Sequence, residues 1–162
     1  MATSGIPIDI VYEDETSRQV YARNMHFAVW YDAPDVEQMH EWGRRAAAIR
    51  KANPEGTGLM NLVVSGTPAF SAEVREAVKD YTADGVHNVG VAHVILVRGL
   101  LASAVRGFLS TAMLLGRPKN PTKVFADLQP ACAWMITNTD TTGGQSWNAQ
   151  ELAECCERAI AR

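Results

Sequence analysis

The residues of this 162-residue chain best placed to bind something, or to be modified, lie in the breaks after its most apolar runs. Ser65-Gly66-Thr67-Pro68 interrupts the run Leu59–Val64, and Ser71 follows shortly after. Hydroxyls before a helix start suit a phosphate or another anion, because the first N–H groups of a helix lack partners and carry its positive end. The same position also suits a plain N-cap, and for Ser71 both readings stand. A second break, Arg98-Gly99, follows Val91–Val97 and leads to Ser103. Arg106 is the only charge between Leu100 and Leu115, either snorkelling to solvent or facing a covering surface. A third break, Ala126–Gln129, completes the set.

Other chemistries find little support. His26, His40, His87 and His93 are scattered, with no HxxxH or CxxC, so no metal is expected. No GxSxG, P-loop or GxGxxG occurs, and no cofactor is expected. Cys132 reads as a small core residue, and the adjacent Cys155-Cys156 is a poor disulfide framework. Trp30, Trp42, Trp134 and Trp147 read as packing residues, with Trp147 able to dock the last helix.

The elements that must position these breaks follow from periodicity. Val91–Val97 is apolar and rich in β-branched residues, the pattern of a strand buried on both faces in a parallel sheet. Leu101, Ala104, Val105, Phe108, Leu109, Ala112 and Leu115 then recur at helical spacing. Ahead of this unit, Ile8–Tyr12, Val20–Ala22 and His26–Tyr31 predict a meander, with Glu13–Arg18 as a turn. A helix is expected after Asp32 as cap, with Val36, Met39, Trp42, Ala46 and Ile49 inward. Leu59–Val64 is the next strand, and a helix capped by Ser71 turns Val74, Ala77, Val78 and Tyr81 inward. Val124–Ala126 is a short last strand, and Asp127 opens a helix with Leu128, Ala131, Cys132 and Met135. Asn138–Gln145 reads as a linker, and Asn148 with Glu151 has capping-box spacing for a terminal helix. The expected fold class is α/β: a mixed sheet with an N-terminal meander, then βαβαβα units whose strands are parallel. Ligands of such sheets usually sit beyond the carboxyl ends of the strands, where Ser65, Thr67, Ser71, Arg98, Gly99 and Ser103 would gather.

Length and composition favour one domain, with 47% hydrophobic and 20% charged residues. A net charge of −3 with no basic cluster argues against nucleic-acid binding. The longest apolar stretch is punctuated by Arg98 and Arg106, so membrane insertion is not expected. Met1–Pro7 lacks the marks of a signal peptide, and a cytoplasmic location is expected.

In this order of elements the chain resembles the SpoIIAA-like group, related to STAS domains, and most of all its uncharacterised bacterial branch. The resemblance covers roughly residues 8–135. It is carried by Phe27-Ala28-Val29-Trp30 before Pro34, by Leu59–Val64, by Val94–Arg106 with its helical Arg, and by Val124-Phe125-Ala126-Asp127 leading to Ala133-Trp134. It implies a STAS-like domain over residues 1–137, with 138–162 as a linker and helical extension of that domain. It also implies a regulatory module switched by phosphorylation of a Ser at a helix start. Ser71 holds the nearest topological place, although the Asp-Ser-Ser/Thr-Gly signature of the antagonists is absent.

The expected function is therefore a non-enzymatic regulatory or protein-interaction module with a protein partner. The alternative is a binding protein for a lipid-like or anionic small ligand, and the third reading is an enzyme without a recognisable motif. The charge-poor helix Leu100–Leu115 is expected to be covered, by a second copy in a homodimer or by Asn148–Arg162.

Overall fold

The run that dominates the sequence becomes an interior strand of the sheet. In the computed structural model, which describes residues 5–66, 71–83, 88–100, 102–103, 105–107, 120–139 and 146–162, this strand spans Asn88–Ile95. It starts earlier than the apolar pattern predicts and stops at Ile95, after which the Leu96 N–H still donates to the Val63 carbonyl at 2.8 Å. Ala92 and Val94 are fully buried toward one face, while Val91 and Ile95 are buried toward the other.

Around it the chain builds an α/β fold with a six-stranded mixed sheet. The strands are β1 (Asp9–Glu13), β2 (Ser17–Ala22), β3 (Met25–Trp30), β4 (Thr57–Val63), β5 (Asn88–Ile95) and β6 (Thr122–Phe125), and they lie side by side in sequence order. β1–β3 form the antiparallel meander, and β3–β6 are parallel. The helices are α1 (Val36–Ala52), α2 (Ala72–Ala83), α3 (Leu128–Thr139) and α4 (Ala149–Ile160), and residues 100, 102–103 and 105–107 are also helical.

Sequential parallel strands with right-handed crossovers put every crossover on one face. Met39 of α1, Val74 and Ala77 of α2, and Ala102 and Val105 accordingly pack on the side of Ala28, Trp30, Leu59, Val91 and Ile95. The opposite face carries Met25, Phe27, Val29, Met60, Leu62, Ala92, Val94 and Phe125. It is covered by α3, through Ala131, Cys132 and Met135, and by α4, through Leu152, Cys155, Cys156 and Ala159. The terminal helix therefore does not cover residues 100, 102–103 and 105–107, which lie across the sheet from it. The part of Leu100–Leu115 beyond Gly107 lies outside the described residues.

Three local readings need correction. α1 is capped by Asp35, not Asp32: the Gln38 N–H donates to Asp35 Oδ1 at 2.8 Å, and the Asp35 N–H donates to Gln38 Oε1 at 3.0 Å, a reciprocal box. Asn138 belongs to α3, not to a linker. Ser17 and Arg18, read as a polar turn, begin β2 and are buried.

Arg18 explains its own burial. Its guanidinium, 5% exposed as a residue, donates to the Ala159 carbonyl at 3.0 Å and to the Ala161 carbonyl, and pairs with Glu13. A cation at a helix C-terminus satisfies carbonyls that have no intrahelical partner and opposes the negative end of the dipole. The Tyr31 hydroxyl donates to the Ile160 carbonyl at 2.6 Å, and the Arg162 guanidinium stacks 3.9 Å over the Tyr31 ring. At the other end Trp147 is buried, and its Nε1–H donates to Asn24 Oδ1 at 2.9 Å. Arg18→Met leaves these carbonyls unpaired, and it should cost about 3 kcal/mol. Urea unfolding measures the loss, and hydrogen exchange should quicken in α4 before α1.

Candidate functional site

The carboxyl ends of β4 and β5 form one rim of the sheet, and the structure places most of the expected site residues there. Ser65 is exposed, and its hydroxyl donates to the Tyr31 carbonyl at 2.7 Å. Gly66 turns at a φ of 92°, and a Cβ there would stand 2.5 Å from Asp32 Cα, so the loop closes tightly on the end of β3. Thr67 lies outside the described residues. Ser71 is exposed and caps α2, its Oγ accepting from the Val74 N–H at 3.1 Å. Arg98 and Gly99 are exposed, with Gly99 at a φ of 98°. Arg106 Nη2 donates to Ser103 Oγ at 3.2 Å one turn away. The Ser103 N–H also donates to the Gly99 carbonyl at 3.3 Å, so Gly99, Ser103 and Arg106 are linked at the start of this helical segment.

A ligand crevice at this end normally arises where neighbouring crossovers leave for opposite faces of the sheet. The sequential strand order contains no such reversal. The rim is thus a surface built of loop ends and a helix start. Its most unusual member is one the sequence did not single out, Leu100, which is 92% exposed. Helical spacing placed its neighbours inward and gave no signal for Leu100 itself.

Beneath α1 and α2 lies a second polar feature, a row that forms only when the strands are set in register. Gln19, Ala28, Asn61 and His93 are successive partners across β2–β5 and share one face. The Trp30 Nε1–H donates to Asn61 Oδ1 at 2.5 Å, and Asn61 Nδ2 lies 2.9 Å from His93 Nδ1. Indole nitrogen can only donate, so Asn61 must present its oxygen to Trp30 and its amide N–H to His93. His93 Nδ1 must then accept, which fixes a neutral ring protonated at Nε2. Burial pushes the His93 pKa down to about 4. His26, 2% exposed and 2.6 Å from Gln19 Oε1, is pushed down by burial, and by the charge of Arg50, to about 3.

Comparison with protein-family models, curated proteins and solved structures finds no match to this chain.

The other perturbed groups serve the scaffold. Burial raises the Asp14 pKa, but hydrogen bonds from Gln38, Tyr12, Thr16 and Ser17 outweigh it and bring the group to about 2. The Tyr12 hydroxyl, held by Asp14 at 2.7 Å, is pushed up to about 12 by that bond and by burial. Cys132 and Cys156 are fully buried with their thiols in contact. That contact and burial push the Cys156 thiol well above its ordinary value, so it stays protonated. Burial likewise raises Cys155. Among the described residues no group of three His, Cys, Asp or Glu could hold a metal ion. No described helix is long and apolar enough to cross a membrane. A hollow of about 330 Å³ opens at another corner, lined by Ile6, Tyr21, Arg23, Ile49 and Asn53 among others.

Two measurements follow. Ser71→Ala removes the cap of α2 and should lower stability by about 1 kcal/mol in chemical unfolding. The histidines set a pH dependence. Both have folded pKa values below the ordinary 6.5, so the unfolded chain binds protons that the folded chain refuses. Their contribution is complete above pH 6.5 and is lost as pH falls toward 4 for His93 and toward 3 for His26. The loss should reach on the order of a few kcal/mol by pH 4. It is read from urea midpoints across that range, and His93→Asn should flatten the profile.

Proposed function

We propose that this chain is a non-enzymatic protein-interaction module of SpoIIAA-like, STAS-related type, whose partner surface is the rim at the carboxyl ends of β4 and β5. The observation that carries the reading is Leu100, an aliphatic side chain 92% exposed between the exposed Arg98-Gly99 turn and Ser103. An exposed aliphatic side chain with polar neighbours offers a partner apolar surface to bury at the centre of a contact. The meander followed by parallel βαβ units supports the resemblance. The perturbed Asp14, His26, His93 and Cys156 are committed to hydrogen bonds or burial within the scaffold, which favours binding over catalysis.

Ser71 is the regulatory element of this reading. A phosphate on its exposed hydroxyl would add about 1.5 to 2 negative charges beside the positive end of α2. The helix start accommodates that charge, so the modification acts on the partner rather than on the fold. The partner can be another protein or a second copy of this chain joined through Leu100–Leu115.

A second reading, a carrier of a small ligand, is favoured by the hollow at Ile6, Tyr21, Arg23, Ile49 and Asn53. Its volume reaches only the lower end of the range for ligand pockets, roughly 300 to 1,000 Å³.

Quantitative affinity capture from source lysate, together with sedimentation of the purified protein, tests the proposal. Leu100→Asp should weaken the principal complex, or the self-association, at least about tenfold, a change of about 1.4 kcal/mol. Ser71→Asp should weaken the same complex, while Lys51→Ala, an exposed change on α1, should leave it intact. Identical partners and oligomeric state for wild type and Leu100→Asp would defeat the reading. A small molecule retained equally by both in native mass spectrometry would establish the carrier instead.

A further inference from the structure

We propose that Gln19 of β2 and Glu41 and Arg45 of α1 together hold one water molecule in a polar site between the meander and α1. Among the described residues three buried side-chain polar atoms have no hydrogen-bond partner: Gln19 Nε2, Glu41 Oε2 and Arg45 Nε. Gln19 is fully buried. Its Oε1 is taken by His26 at 2.6 Å, which leaves the amide nitrogen as the unused end. Glu41 Oε1 already accepts from Arg44, and Arg45 Nη2 lies 3.5 Å from Glu41 Oε2, an ion pair in which neither Oε2 nor Nε is bonded.

The course of α1 brings these atoms together. Near its start, Gln38 Nε2 donates to Asp14 Oδ2 at 2.9 Å and to Thr16 Oγ1 at 2.6 Å, at the entry to β2. Further along, the Arg45 carbonyl accepts from the Tyr21 hydroxyl, at the exit of β2. Glu41 lies between Gln38 and Arg45, and Gln19 lies between Ser17 and Tyr21 on the same strand face as Tyr21. A helix advances 1.5 Å and a strand about 3.3 Å per residue, so the middle of one segment stands over the middle of the other. Tyr12, the partner of Gln19 across β1–β2, flanks the gap, its hydroxyl turned away to Asp14.

The chemistry of the three atoms selects the occupant. Two are N–H donors and one is a carboxylate acceptor. An anion would face Glu41, a cation would face two donors, and an apolar group would leave all three unpaired. Water accepts from Gln19 and Arg45 and donates to Glu41, the usual valence of an internal water, about three bonds to otherwise unpaired groups. The site is independent of the partner rim, which lies at the far ends of other strands.

NMR of the whole chain tests it, with water itself as the probe. In wild type, the Gln19 side-chain amide protons should show a rotating-frame cross-relaxation peak to water, and oxygen-17 relaxation dispersion should report a long-lived internal water. Gln19→Leu should lower the dispersion amplitude by one water. Because that buried change can also disturb folding, Glu41→Met, on the half-exposed rim of the site, serves as the second variant and should remove the same water. The double variant should lose no more than one. A folded wild type with no water peak at Gln19, or a Glu41→Met amplitude unchanged from wild type, overturns the site and leaves Gln19 and Glu41 paired directly.

Discussion

A buried guanidinium ties the end of the terminal helix to the sheet it covers. Arg18 sits on the second strand, yet its donors reach the carbonyls of Ala159 and Ala161, at the far end of the chain. Burying that charge is costly unless every donor has an acceptor. Here the acceptors are the helix-end carbonyls that would otherwise be unpaired, and Glu13 balances the charge from the neighbouring strand. Each side thus removes the other's penalty. The Tyr31 hydroxyl on the Ile160 carbonyl and the Arg162 guanidinium over the Tyr31 ring extend the same clasp.

The clasp matters because of the winding of the sheet. Three consecutive crossovers on one face leave the other face with nothing from the parallel units themselves. Phe27, Met60, Leu62, Ala92 and Val94 would stand in water there without α3 and α4. The segment that follows the last strand is therefore half of the enclosing layer. Its sequence agrees with that duty: the Asn148–Glu151 capping box fixes the start of α4, Leu152, Cys156 and Ala159 face the sheet, and Trp147 pins the approach through Asn24.

Much of this was legible in the sequence because it is local. The β-branched run at Val91–Ile95, the stripe of α1, the Ser71 cap and the Asn148 box each depend on residues within a few positions of one another. Arg18 was not legible. A polar stretch from Glu13 to Arg18 reads as a turn unless the partner 141 residues away is known, and no local pattern announces it. Asp35 outcompeted Asp32 as a cap because Gln38 could answer it, a reciprocity that the sequence contained and that Pro34 obscured. At the candidate rim, Ser65, Ser71, Arg98 and Gly99 are where parallel topology puts them. The exposure of Leu100 depends on the angle at which the chain leaves Gly99, which spacing does not encode. The polar row of Gln19, Asn61 and His93 was hidden for the opposite reason, since it emerges only when four strands are set in register.

The strand order also bears on how the chain is made. Because β1 to β6 are neighbours in the order of synthesis, each new strand leaving the ribosome finds its docking edge already formed. The sheet can grow vectorially, without waiting for a distant partner. Its second face cannot. It stays uncovered until residues 128–160 have been translated, a delay of about 2 to 7 s at about 5 to 20 residues per second. During that interval the nascent chain presents an apolar sheet surface, and the α4 carbonyls that Arg18 will bind do not yet exist. The late helix therefore sets the moment at which the growing polypeptide closes its second apolar face to water.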